Sequence, residues 1–133
     1  MNLKRFIPAT IVIFIILALV DILFDLFILR QLNISLENVW RPGHIFWVEP
    51  VLYLISALLF MLIFAYATRE KGIVEGLFYG IVLGLFATGI SAFRQYVLYP
   101  LPISIAFIWL AEGLIQYTAA GIMASLIYRR VKK

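Results

Sequence analysis

The sequence predicts an all-α membrane protein, a four-transmembrane-helix bundle with almost no chain outside the bilayer. Three observations predict it. Of the 133 residues, 65% are hydrophobic and only 14% are charged. The mean hydropathy is +1.05. The apolar residues also fall into four long runs separated by short polar or proline-containing breaks. A soluble domain is about half apolar, with about a quarter of its residues charged. A chain this short and this apolar cannot cover its side chains with polar surface in water, so lipid has to be part of its solvent.

Helix 1 is expected over 6–29. At 1.5 Å per residue it spans about 35 Å, enough to cross the hydrocarbon core with some tilt. Lys4 and Arg5 before it resemble the start of a signal peptide, but the apolar run outlasts the usual core of such peptides and no A-x-A site closes it. A retained helix is expected. The polar connection that follows contains Asn33, Ser35, Glu37, Asn38 and Trp40-Arg41-Pro42-Gly43. Ser35 is placed to cap a short surface helix, with Trp40 as an interfacial anchor. Helix 2 is expected over 45–68, with Pro50 in its first turns, where a missing N–H is tolerated. After the charged turn Arg69-Glu70-Lys71-Gly72, helix 3 runs over 72–98. Pro100 and Pro102 break the chain, and helix 4 covers 103–128. The whole is one domain by length.

Orientation follows from Lys and Arg. Lys4, Arg5, Arg69, Lys71, Arg129, Arg130, Lys132 and Lys133 fall at one end of the helices, and Arg30, Arg41 and Arg94 at the other. Eight of the eleven on one side puts both termini in the cytoplasm. The location expected is the cell membrane, multi-pass, which is the inner membrane in a bacterium. Tyrosines and tryptophans near the helix ends fit an aromatic belt.

The chain also repeats itself. Arg30-Gln31 recurs as Arg94-Gln95, Trp47 as Trp109, Glu49 as Glu112 and Tyr66 as Tyr128, at offsets of 64, 62, 63 and 62. Residues 1–68 and 69–133 read as two tandem two-helix hairpin repeats, related by an axis along the membrane normal.

Two constellations stand out. Gly72, Gly76, Gly80 and Gly84 recur every four residues, and Thr88, Ser91 and Gln95 extend the stripe. Small residues at this spacing let helices approach closely in lipid. The partner is either helix 1 or 4 of the same chain, or another copy. The second constellation is acidic. Asp21 and Asp25 are one turn apart on helix 1, and Glu112 and Gln116 one turn apart on helix 4, with Glu49 at the matching place in the first half. Counted from the cytoplasmic ends, the four carboxylates lie about 22–28 Å up. Arg30, Arg94 and His44 belong to that level or just above it. Ionisable groups at membrane depth are costly and usually turned inward. They form either a polar site for a cation, proton or polar ligand, or a set of Asp–Arg and Glu–Arg pairs holding helices in register. Glu75 sits where the positive end of helix 3 stabilises an acid.

Other functions are disfavoured. Without cysteine and with one histidine, disulfides, thiol catalysis, haem and histidine-rich metal cages are out of reach, and no cofactor is expected. No basic stripe suits a nucleic acid. No phosphate-binding loop or nucleophile–histidine arrangement indicates an enzyme. The whole chain resembles a group of small bacterial four-helix membrane proteins without an assigned function. The resemblance rests on Trp40-Arg41-Pro42, on Lys71-Gly72-x-x-Glu75-Gly76-x-x-Tyr79-Gly80, and on Trp109 and Gly113. In that group an acid often stands where this chain has Gln116. The resemblance implies the topology and supplies no activity. Two functions follow: an accessory subunit of a larger membrane complex or a homo-oligomer, working through helix packing, or a small transporter or channel whose polar path includes Asp21, Asp25 and Glu112.

Overall fold

The computed structural model describes residues 2–43, 45–67 and 72–128. All regular structure among them is helical. It runs as α1 (Leu3–Phe27), α2 (Arg30–Ser35), α3 (Val48–Ala67), α4 (Ile73–Gly84), a π-helical turn (Leu85–Gly89), α5 (Ile90–Leu98) and α6 (Ile103–Tyr128). α4, the π turn and α5 form one continuous rod. With that rod counted once, four helices are long and apolar enough to cross a membrane. His44 and six of the basic residues counted for orientation (Arg69, Lys71, Arg129, Arg130, Lys132 and Lys133) lie outside the described residues.

Several expectations shift. α1 ends at Phe27, where the N–H groups of Ile28 and Leu29 both turn back to the Phe24 carbonyl, at 2.9 and 2.8 Å. The short surface helix precedes Ser35 instead of following it. Ser35 closes α2 and donates its hydroxyl to the Leu32 carbonyl at 2.8 Å, so it does not serve as an N-terminal cap. α3 starts three residues late, after a turn closed by Val48 N–H on the Ile45 carbonyl at 3.1 Å. Pro50 thereby becomes the third helical residue, where its missing N–H has no intrahelical acceptor to lose. Helix 3 is not one regular α-helix, because the π turn interrupts it.

α6 is the central helix. α4 runs along one side of it, α1 along another, and α3 leans on α1. Side chains close the remaining seam between α3 and α4. Tyr79 donates its hydroxyl to the Phe60 carbonyl at 2.9 Å, and its ring meets Phe60 and Phe64 edge-on at 5.0 and 5.2 Å. α1 buries Phe6, Ala9, Ile13 and Leu17 at helical spacing, yet Ile7, Ile11, Ile15 and Leu19 on its far side are exposed. A helix apolar all round suits a bundle with protein on one side and lipid on the other. The core gathers toward the chain-terminal end, where Ala57, Phe60, Met61 and Phe64 meet Ala120, Ala124 and Tyr128. There the Asn2 N–H donates to the Tyr128 hydroxyl at 3.0 Å.

Lipid tails are as apolar as leucine, so close packing must supply the attraction between helices. The glycine row provides it. A Cβ added to Gly76 would overlap the Gly121 carbonyl, and one on Gly80 the Tyr117 carbonyl. On Gly84 it would come within 3.2 Å of the Gly113 carbonyl. The partner of the row is α6. Gly72 stands apart from it, capping α4 with open space around its Cα.

Candidate functional site

Beyond Gly84 the two helices part, and the space between them is polar. The divergence begins at the π turn. A π turn inserts an extra residue into the helical ladder and shifts the phase of everything after it. Thr88 marks the slip, donating its hydroxyl to the Gly84 carbonyl at 2.6 Å. Its side chain also fills the space over Gly113, where any Cβ would collide with it. After the slip, Thr88, Ser91 and Gln95 face a cavity of about 210 Å³ together with Asp21, Glu112 and Gln116. Trp109 completes one wall and Gly113 leaves room in another.

Glu112 and Gln116, only 6% and 8% exposed, are among the few polar side chains buried in the described bundle. Gln116 is held from both directions. Its amide nitrogen donates to the Leu17 carbonyl of α1 at 3.1 Å and, more weakly, to Glu112 Oε1 at 3.5 Å. Asp21 stands half-buried beside Glu112 and accepts a hydrogen bond from the Tyr53 hydroxyl of α3. Three of the four spans thus converge on one carboxyl pair: α1 by Asp21 and Leu17, α3 by Tyr53, and α6 by Glu112 and Gln116. The fourth, the α4–α5 rod, contributes the hydroxyls. Among the described residues, no lysine or arginine lines this cavity.

A second, larger cavity of about 560 Å³ lies toward the connections, at the end away from the chain termini. Asp25, one turn beyond Asp21, lines it with Glu49 and Arg41. Trp40 and Trp109 supply its aromatic wall, their rings 6.3 Å apart and tilted by 57°. The room comes from unequal helices. Glu49 is the second residue of α3, while Glu112 follows more than two turns of α6. The shorter helix leaves a gap that the α2–α3 connection roofs. Trp40 is therefore a half-buried wall residue, where an interfacial anchor was expected.

The expected polar residues accordingly divide. Asp21, Glu112 and Gln116 share the inner cavity, and Asp25 and Glu49 share the outer one. Arg94 is exposed and lines neither, and Arg30 lines a shallower third cavity with Asp25 and Glu37. Thr88, Ser91, Gln95, Trp40 and Trp109 complete the two chambers, and Tyr53 holds Asp21. Three of these were visible as the continuation of the glycine stripe. The hydroxyl of Tyr53 carried no sequence signal, since one tyrosine in an apolar helix looks like any belt aromatic. No family model matches the chain, and no curated protein or solved structure matches it either.

Proposed function

We propose that the protein is a small multi-pass membrane transporter or channel that binds a cation at the Asp21–Glu112 carboxyl pair. The observation that carries this reading is the inner cavity. Two neighbouring carboxyls, a buried glutamine and two hydroxyls line it, and among the described residues no basic side chain does. Negative charge held inside a bundle at membrane depth is costly unless something balances it, and a proton or a small cation is the balance available here. The competing reading, a protein acting only through helix contacts, is supported by the short connections and the exposed apolar helix faces. The glycine row adds nothing to it, since Gly76, Gly80 and Gly84 pack on α6 of the same chain.

In this reading the loop end faces outward and both termini lie in the cytoplasm, supported by the lysine and arginine distribution. The apolar core from Phe6 to Leu17 and from Ala120 to Tyr128 closes the site on the inner side. The duplication reading is supported by the near-constant offsets. The role is binding and translocation, without covalent chemistry or cofactor.

The test is monovalent cation flux into proteoliposomes under an imposed potential. Glu112→Gln and Asp21→Asn preserve shape and remove charge, and each is expected to lower flux about ten-fold or more while the helical content stays unchanged. Wild-type flux in both variants sinks the proposal and makes the carboxyl pair a structural device.

A further inference from the structure

We infer that the cation is an organic ammonium, recognised in the tryptophan-walled outer cavity on its way to the buried carboxyls. This rests on the cation reading above and names the class of ligand.

The two cavities are neighbours along one path. Trp109 lines both, and Asp21 and Asp25 place one carboxylate of α1 in each, a single turn apart. A guest in one chamber reaches the other past the Trp109 side chain. The outer chamber, at about 560 Å³, lies in the size range of sites that hold organic ligands. A bare metal ion needs the opposite, several donors converging on one point. Among the described residues no three histidine, cysteine, aspartate or glutamate side chains come together to hold a metal. The acids are instead spread over two levels.

The lining matches an ammonium group with an apolar body. Leu29, Ile45 and Val48 offer apolar contact, and the two indoles offer the ring type that attracts cations most strongly. Asp25 and Glu49 bring two carboxylates to this chamber beside Arg41. The Trp40 indole N–H is buried, with no hydrogen-bond partner among the described residues.

The probe is benzyltrimethylammonium, which can neither donate a hydrogen bond nor lose a proton, so it isolates charge and aromatic contact. The protein is placed in lipid nanodiscs in a Trp47→Phe background, leaving Trp40 and Trp109 as reporters. A saturable change in tryptophan emission is expected, with potassium at equal ionic strength a poor competitor. Apparent affinity should fall about ten-fold in Trp109→Leu and recover in part in Trp109→Tyr. The tyrosine variant separates aromatic recognition from a loss of packing. Affinity in Trp109→Leu equal to that of the parent overturns the inference. So does potassium binding that requires Glu112 when benzyltrimethylammonium leaves the emission unchanged, and in that case the cation site itself stands. Absence of Glu112-dependent binding of either ion overturns both.

Discussion

At the scale of single residues, the glycines of α4 differ in what surrounds them. Alanine at Gly80 would drive its Cβ into the backbone carbonyl of Tyr117, which cannot rotate away, whereas alanine at Gly72 meets nothing within 4 Å. Gly80→Ala should therefore cost about 1–3 kcal/mol and Gly72→Ala nothing measurable, read as unfolding midpoints of the purified protein in detergent. Equal effects would detach the row from α6. A coupled pair lies across the same seam. Gly113→Ala collides with the Thr88 side chain, so adding Thr88→Ala should restore part of the loss. Tyr53→Phe removes one hydrogen bond to Asp21 and little else, with an expected cost of about 1–3 kcal/mol in the same measurement. Much of this was readable in advance. The spacing of Gly76, Gly80 and Gly84 announces close approach, but spacing alone does not name the partner, because any small-residue face would fit. Gly121 and Gly113 on α6 supply that face.

Among elements, the π turn has the largest consequence. It lies between the half of the bundle where α4 is pressed onto α6 and the half where Thr88, Ser91 and Gln95 face a cavity. Inserting one alanine after Gly89 should turn the residues of α5 by about 100° relative to α4, carrying Ser91 and Gln95 off the cavity wall. Such a variant is expected to fold with unchanged helical content and to lose cation binding, measured by the nanodisc titration; unchanged binding would make the facing of α5 incidental. No sequence pattern marked this turn. Thr88 and Gly113 lie on different helices, and their collision becomes apparent only when the helices are packed. The start of α6 was legible, since Pro102 opens it. That of α3 was off by three residues, because the connection before it contains enough apolar side chains to extend the pattern.

For the whole molecule, four apolar rods leave polar residues few places to go, and this chain gathers them at one end. The chain-terminal half is closed by aromatic and small side chains, and the loop half holds two polar cavities separated by Trp109. Sequence alone placed the acids at one level by counting turns. It could not sort them between chambers, because Asp21 and Asp25 look equivalent until the packed helices bring the Tyr53 hydroxyl onto Asp21. Nor did it separate Arg94 from them, since depth along a helix does not reveal which way a side chain faces. The central claim is that a cation occupies the site at Glu112. The most direct measurement is the rate at which dicyclohexylcarbodiimide, an apolar reagent that enters membranes and adds to carboxyl groups, modifies Glu112, followed by mass spectrometry. A saturating monovalent cation, potassium or benzyltrimethylammonium, is expected to slow that modification several-fold. A rate at Glu112 indifferent to every cation offered would contradict the claim.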